Sequence, residues 1–164
     1  MTAWLPEVMS LDGDWDQYCD DLYRCFEQDL RQASFFGLNV GRRKMPIVKG
    51  KPDGFWHAIS EQVDRTSEDR NPDLRRCERV PWIGPMISAC GSDRVLCWEQ
   101  QRPAKRGGNS VAVALPTFEF VVILRLRKRG GPDAYAMLVT AFCPGSRKRI
   151  KLQRESAAAG PFSL

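Results

Sequence analysis

The sequence has one histidine, His57, and its six cysteines include no pair separated by two residues. A single histidine with scattered cysteines cannot supply the ligand sets that zinc sites use. The acidic residues also form no evident carboxylate cluster that would hold magnesium. We therefore expect no metal centre, and we expect the cysteines to be reduced thiols that pack mostly in the core as small apolar groups.

Long apolar runs are missing as well. No window approaches the roughly 18 to 20 uninterrupted apolar residues that a membrane-spanning helix needs. The first residues, MTAWLPEVMSLDGDWD, lack the basic region and the apolar run of a secretion signal. These two absences predict a cytoplasmic protein that does not associate with a membrane.

Three motifs that bind nucleotides or carry a nucleophile are absent. The chain has no G-x-x-x-x-G-K-[ST] loop, no G-x-G-x-x-G after a strand and no G-x-S-x-G. Their absence removes the usual support for an NTPase, for a dinucleotide-dependent enzyme and for a serine hydrolase. We expect that the protein uses no cofactor.

Positive charge is concentrated in the second part of the chain. Residues 1–69 carry 8 basic and 13 acidic side chains, net −5, whereas residues 70–164 carry 17 and 7, net +10. The basic runs include RPAKR (102–106), RLRKR (125–129) and SRKRIKLQR (146–154). This pattern favours nucleic acid over anionic lipid as a partner, because no segment is a basic amphipathic helix with a bulky apolar face. A solvated surface that only keeps the protein soluble is the alternative.

The apolar residues of the first part have a helical period. Residues 14–33 place them at steps of three and four, which predicts an amphipathic helix. Residues 35–54 hold four glycines and two prolines and predict a loop with one or two short strands. The polar stretch 61–71 predicts an exposed loop. A second helix is predicted from Pro72, capped by Asn71, and it should kink or end at the prolines that follow.

From position 95 the period changes to two. The segments VLCWEQQR, SVAVALP, FEFVVILRLRKR and AYAMLVTAF are rich in β-branched and aromatic residues and are separated by turn sequences. They predict four consecutive antiparallel strands, followed by a basic helix or arm. We therefore predict one α+β domain over residues 1–164, with N-terminal helices, a four-stranded antiparallel sheet, a short C-terminal helix and a frayed tail at residues 156–164.

A nuclease with these residues would cut RNA without a metal ion. The 2′-hydroxyl of RNA is an internal nucleophile, so the enzyme supplies a base, an acid and groups that stabilise the phosphorane charge. His57 titrates near neutrality and can be the acid or the base, and Glu61 can orient it or share the role. The arginines of LRRCER (74–79) can contact a phosphate with two donors each.

Two further residues are candidates for contacts with RNA. Thr140 interrupts an apolar strand and can donate to a phosphate oxygen, and Trp98 can stack on a base. Every candidate also has a structural interpretation: a partly buried histidine, a solvated arginine face, a threonine that favours a strand and a tryptophan of the core. The residues alone leave both interpretations open.

Six segments carry a resemblance to a known family. They are FWH (55–57), DRNPDLRRCERVPWIGPMI (69–87), CWEQQ (97–101), FVVILRLRKRG (120–130), YAMLVTAF (135–142) and RKRIKLQRE (147–155). Together they resemble a phage- and prophage-borne family of the Barnase-EndoU-Colicin-RelE superfamily of metal-independent ribonucleases. The resemblance covers roughly residues 15–155, and PDLRRCER with the following tryptophan and proline is its most specific part.

The resemblance implies N-terminal helices followed by a four-stranded antiparallel sheet that cradles RNA. It also implies catalysis by histidine, arginine and a hydroxyl residue. His57 matches the histidine of the F-W-H element, and Thr140 matches the threonine of an L-x-T-A strand. Arg75, Arg76 and Arg79 match an arginine-rich helix. The basic, glycine-rich RPAKRGGNS and the tail ESAAAGPFSL depart from the family pattern.

We therefore predict an endoribonuclease-like phage or toxin protein that cleaves RNA to a 2′,3′-cyclic phosphate. The predicted catalytic residues are His57, Glu61, Arg76, Arg79 and Thr140, and the predicted substrate-binding residues are Arg75, Arg125, Arg127, Arg147, Lys151 and Trp98. The expected partners are RNA and, for a toxin, an acidic neutralising protein. The alternatives are a noncatalytic nucleic-acid-binding module and a phage protein that inhibits or redirects a host protein.

Overall fold

The computed structural model describes residues 2–63 and 70–164. Its helices are α1 (Trp15–Gln32), α2 (Asp53–Ile59), α3 (Leu74–Glu78), α4 (Val80–Ser88) and α5 (Ser146–Ala159). Its strands are β1 (Ser34–Phe35), β2 (Leu38–Arg42), β3 (Ile47–Val48), β4 (Lys51–Pro52), β5 (Ser60–Gln62), β6 (Arg70–Pro72), β7 (Leu96–Gln100), β8 (Ser110–Ala114), β9 (Val121–Arg127) and β10 (Tyr135–Phe142). The predicted α+β class is confirmed.

The main sheet has six strands in the order β1-β2-β10-β9-β8-β7. The four consecutive strands β7 to β10 pair antiparallel, as their alternating sequences predict. The predicted four-stranded antiparallel sheet is nevertheless wrong, because β2 adds parallel to β10 and β1 adds antiparallel to β2. β1 and β2 are short, and β2 pairs with a strand far along the sequence, so local periodicity indicates them poorly.

Helix α1 forms as its spacing predicts. The carboxylate of Asp14 accepts a hydrogen bond from the backbone N–H of Gln17 at 3.1 Å and so caps the first turn. The buried face consists of Tyr18, Cys19, Leu22, Phe26 and Leu30. Arg42, at the end of β2, makes a bidentate ion pair with Glu27 of this helix, with Nε to Oε1 at 2.7 Å. The helix and the strand are therefore joined by both apolar packing and a half-buried ion pair.

The predicted arginine-rich helix is divided into α3 and α4. The carboxylate of Asp73, and not Asn71, caps α3, since it accepts from the backbone N–H groups of Arg75 and Arg76 at 3.0 and 3.3 Å. Pro72 belongs to β6 and precedes the helix. The break falls at Arg79, just before Pro81 in the first turn of α4. Of the loop predicted over residues 61–71, the ends form β5 and β6, and residues 64–69 lie outside the described part of the chain.

Alternation along the strands gives the sheet two faces. One face packs against α1 and α4 through residues such as Val113, Leu124 and Leu138. The opposite face packs against α5 in a cluster that contains Trp98, Ala112, Ala114, Phe118, Val121 and Leu152. Farther along this second face, Arg125 lies opposite Met137 and Arg127 lies opposite Tyr135. The second face therefore changes from apolar under α5 to positively charged beyond it.

The C-terminal tail packs against the domain. Residues 156–159 belong to α5, and the ring of Phe162 lies 5.6 Å from that of Phe35. The backbone N–H of Phe162 donates to the carbonyl of Cys97 at 2.8 Å. The tail that was predicted to fray is therefore held in place by an aromatic contact and a hydrogen bond. The small and polar residues of the tail give no sign of these contacts in the sequence. No helix within residues 2–63 and 70–164 has the length and apolar character needed to span a bilayer.

Candidate active site

His57 lies in the last turn of α2, with 36% of its side chain exposed. Its Nε2 is 3.4 Å from Oδ2 of Asp53, one turn earlier on the same helix. The same Oδ2 is 3.4 Å from Nη1 of Arg43, which follows β2. The carboxylate of Asp53 therefore stands between the imidazole and a guanidinium whose side chain is 55% exposed.

A small cavity opens beside the imidazole. Arg43, Asp53, Gly54 and His57 line one side of it, and residues 137–139 of β10 line the other. Its volume of about 40 Å³ suits a hydroxyl group or a water molecule and is too small for a base. The cavity can therefore admit the reacting atoms of a ligand, while the rest of the ligand lies on the surface around it.

Gly54 lets α2 approach the end of β2. A Cβ on Gly54 would lie 2.7 Å from Cβ of Arg42 and 2.8 Å from the backbone nitrogen of Arg43. The backbone N–H of Gly54 also donates to the carbonyl of Arg43 at 3.0 Å. Because α2 carries Asp53 and His57, this contact sets their distance from Arg43.

The pKa of His57 is lowered from its ordinary value. Desolvation is the largest cause, and the positive charge of Arg70 is the next. The carboxylate of Asp53 opposes the shift, whereas Arg43 and Arg76 add to it. The lowered pKa favours the neutral imidazole, which is the form that a general base requires.

Glu61 is not the carboxylate beside His57. Helix α2 ends at Ile59 and Glu61 lies in β5, so the helical relation between positions 57 and 61 does not form. Its Oε1 is 3.3 Å from Nη2 of Arg76 instead. The neighbouring carboxylate is Asp53, four residues before the histidine rather than four after it.

Arg76 lies near His57 but has protein partners. Its Nη1 donates to the carbonyl of Ser60 at 2.8 Å, and more weakly to that of His57 at 3.4 Å. Its side chain is only 13% exposed and also faces Glu61 and Asp73. These contacts hold the end of α2 in place, so Arg76 positions the histidine and adds charge near it.

Thr140 also contacts the backbone of His57. Its hydroxyl donates to the His57 carbonyl at 2.9 Å. The bond joins β10 to the last turn of α2 and engages the proton that Thr140 was predicted to donate to phosphate. The structure therefore brings Thr140 to the histidine as a positioning contact.

Arg79 and Arg75 lie apart from the histidine cavity. Arg79 donates from Nη1 to the carbonyl of Arg75 at 3.1 Å, and its guanidinium stacks 5.1 Å from the ring centre of Trp82. Arg75 is exposed on α3. Neither of them lines the cavity, and Thr140 does not line it either. Of the predicted catalytic residues Arg79 and Thr140, only Thr140 contacts His57, through the backbone carbonyl of the histidine.

The other predicted substrate-binding residues fall into three places. Arg125 and Arg127 lie on the second face of the sheet. Desolvation lowers the pKa of Arg125, and the positive charges of Arg127 and Arg43 add to the shift. Arg147 and Lys151 are exposed on α5. Trp98 is fully buried, and its indole N–H donates to Glu155 at 3.0 Å. Its ring packs in the core, so it cannot stack on a base.

Sequence reasoning missed Asp53, Arg43 and Arg70. Asp53 and Gly54 precede FWH in the sequence KPDGFWH, where a helix start after proline was a usable signal. Arg43 reaches the site from the end of β2. Arg70 donates to both the hydroxyl and the carbonyl of Ser60, at 2.9 and 2.7 Å. Neither arginine has a local sequence signal, because each depends on tertiary contacts.

We expect the imidazole of His57 to titrate below 6.5, the usual value, and Arg43→Gln to raise its pKa. The substitution removes a positive charge near the ring and leaves Asp53 freer to stabilise the imidazolium, so both effects have the same sign. NMR titration measures this directly, since His57 supplies the only imidazole signal. Lys44→Gln, an equal change of charge one residue away, should shift the pKa less. Equal shifts in the two variants would contradict the role of Arg43.

Within residues 2–63 and 70–164, no group of three or more histidine, cysteine, aspartate or glutamate side chains is arranged to hold a metal ion. The groups available for chemistry around the cavity are thus one imidazole, the carboxylate of Asp53 and the guanidinium of Arg43. Comparisons with models of protein families, with curated proteins and with solved structures gave no significant match.

Proposed function

We propose that this protein is an endoribonuclease that cleaves RNA by attack of the 2′-hydroxyl, without a metal ion, in the cytoplasm. The observation that carries the proposal is a partly exposed imidazole of lowered pKa in a small cavity, with the guanidinium of Arg43 among the groups that line it. The positive second face of the sheet adjoins this cavity and supplies the surface for a polyanion. The resemblance to phage-borne ribonucleases supports the same activity and a phage or toxin origin.

His57 acts as the general base. Its unprotonated nitrogen accepts the proton of the 2′-hydroxyl, O2′ attacks the adjacent phosphorus, and the bond from phosphorus to O5′ breaks. The leaving O5′ takes a proton from water, and the hydroxide that remains deprotonates the imidazolium. The products are a 2′,3′-cyclic phosphate and a 5′-hydroxyl, and the histidine returns to its starting form.

Arg43 is the group best placed to stabilise the phosphorane charge. It lines the cavity, and more than half of its side chain is exposed, so a phosphate can reach its guanidinium. Asp53 holds Arg43 and His57 on either side of one carboxylate oxygen. Arg76 and Thr140 fix the turn that carries His57.

A noncatalytic nucleic-acid-binding module is the second candidate. The observation that favours it is the engagement of Arg76 and Thr140 by backbone carbonyls, which takes up two of the groups that were predicted to act on the phosphate beside His57. In either case an acidic protein that covers Arg125, Arg127 and Arg43 would compete with RNA and would act as a neutralising partner.

Cleavage of matched oligonucleotides tests the proposal. A single-stranded RNA in excess chelator should yield fragments that end in 2′,3′-cyclic phosphate, identified by mass spectrometry. The same sequence with 2′-O-methyl groups should bind and stay intact, because it lacks the nucleophile. Cleavage of the methylated strand, or intact RNA after long incubation with purified protein, would contradict the proposed reaction.

A further inference from the structure

A second and larger cavity lies on the second face of the sheet, beside α5. Its volume is about 280 Å³, which is close to the lower end of the range for small-ligand sites. Ile123 and Phe142 contribute to its apolar part, and Thr140 joins it to the histidine, since its hydroxyl bonds the His57 carbonyl. The two cavities therefore meet at the same strand, β10.

The lining of this cavity carries four positive side chains. They are Arg102, Arg106, Arg125 and Lys148. Arg102 is paired with Glu155, with Nη2 to Oε2 at 3.1 Å. Desolvation and the charges of Arg127 and Arg43 lower the pKa of Arg125, so positive charges are crowded here. An anion would relieve this repulsion.

The neutral polar groups of the cavity are already bonded to protein. Gln100 donates to Glu155 at 2.7 Å and accepts from the hydroxyl of Ser110 at 2.8 Å. Both side chains are almost fully buried. They offer little to the edge of a base, so the groups left for a ligand are the guanidinium and ammonium groups, which suit phosphate.

The glycine-rich loop between β7 and β8 holds one of these cations. The carbonyl of Arg106 accepts from Nη2 of Arg125 at 2.9 Å. At Gly107, where φ is +92°, a Cβ would lie 2.5 Å from Cζ of Arg125. The loop therefore rests directly on the Arg125 guanidinium, and its glycine makes this contact possible.

We propose that this second cavity binds a backbone phosphate of a single RNA strand, without reading its sequence, while a neighbouring part of the strand reaches His57. The inference rests on the proposed function in that it takes RNA as the strand that reaches the histidine. Arg106 and Lys148 are the phosphate-binding residues best suited to substitution, because both are exposed and their replacement should disturb the fold least. Arg125 lies beneath the loop, and Arg102 is tied to Glu155.

Binding of a 2′-O-methyl oligonucleotide, which cannot be cleaved, tests this site separately from catalysis. The double variant Arg106→Gln/Lys148→Gln should weaken binding about tenfold or more at low salt for any sequence. The slope of log K against log salt should fall by about one for each phosphate that the variant no longer neutralises. Fluorescence anisotropy at several salt concentrations measures both quantities.

The matched control is Arg24→Gln/Arg31→Gln, which changes the net charge equally on α1, on the other side of the sheet. It should change the affinity much less. Equal decreases in affinity in the two double variants, a decrease confined to one base sequence, or no binding by the unaltered protein would each overturn the proposed site. Absence of RNA cleavage by a protein that binds as expected would instead contradict the proposed function and leave the phosphate site standing.

Discussion

Replacing His57 with glutamine is expected to lower the rate of RNA cleavage by about 100- to 10,000-fold, the usual contribution of a positioned general base. Glutamine keeps much of the size of the side chain and can contact Asp53, but it cannot accept the proton of the 2′-hydroxyl. No other imidazole is present in the chain to replace it. Initial rates on a labelled single-stranded RNA, in excess chelator, give the measurement.

The pH dependence makes this test more specific. Because the pKa of His57 is lowered by desolvation and by nearby positive charges, the midpoint of the acidic limb of kcat/KM should lie below the ordinary value of 6.5. Arg43→Gln should move this acidic limb to higher pH, in the same direction as the NMR titration of the free protein.

Two readouts should stay constant in His57→Gln. The side chain is partly exposed, so its replacement should leave the midpoint of thermal unfolding nearly unchanged. Binding of the 2′-O-methyl oligonucleotide should also persist, since the basic groups of the second cavity are intact. A variant that cleaves as fast as the original protein would exclude His57 as the base. Absence of cleavage by both proteins, with binding intact, would favour the nucleic-acid-binding module.

The elements predicted well from the sequence are those whose pattern is local. Helix α1 has a full apolar stripe and a capping aspartate, and strands β7 to β10 alternate over five to eight residues. The one or two short strands predicted within residues 35–54 could not be given bounds or partners, because two and five residues cannot establish a period and the pairing of β2 is decided by β10. The sequence also gives no local signal for the change from helix to strand after Ile59. This change is what separates Glu61 from His57.

The candidate site was predicted in part. His57 and Thr140 do meet, but through the backbone carbonyl of the histidine, a contact that no side-chain pattern encodes. Arg76 is held by hydrogen bonds to carbonyl groups at the end of α2. These contacts could not be predicted, because α2 was not predicted from the sequence. Asp53 and Arg43 can be recognised as neighbours of the imidazole only from the structure, in which α2 lies beside the end of β2. The residue types led to the proposed chemistry, whereas the fold decides which residues surround the imidazole.

The contact of Gly54 with β2 gives the second large expected effect. In Gly54→Ala the new methyl group would collide with Arg42 and with the backbone of Arg43, at 2.7 and 2.8 Å. Arg42 is fixed by its ion pair with Glu27, so the strand cannot yield easily and α2 must move. Overpacking of this kind costs about 1–3 kcal/mol of unfolding free energy.

The same movement should also reduce the rate of RNA cleavage. It separates Asp53 and His57, on α2, from Arg43, and a displacement near 1 Å in a reacting geometry can lower a rate by about 100-fold. Urea unfolding gives the change in stability, and initial rates at a temperature where the variant is folded give the change in cleavage. The NMR titration should show the pKa of His57 moving as its distance from Arg43 changes.

Gly145→Ala is the control for this prediction. Gly145 precedes α5 with φ of −73°, and a Cβ there would have nothing within 4 Å, so alanine fits without strain. Because Gly145 is the N-cap of α5, where alanine is less favourable than glycine, that variant should lose a little stability, less than Gly54→Ala, and keep its cleavage rate. If Gly54→Ala kept both its stability and its cleavage rate, the close packing of α2 against β2 would not be what positions the histidine. If it lost stability but cleaved normally when folded, the distance between His57 and Arg43 would not matter to the reaction, and the role of Arg43 in stabilising the phosphorane would be excluded.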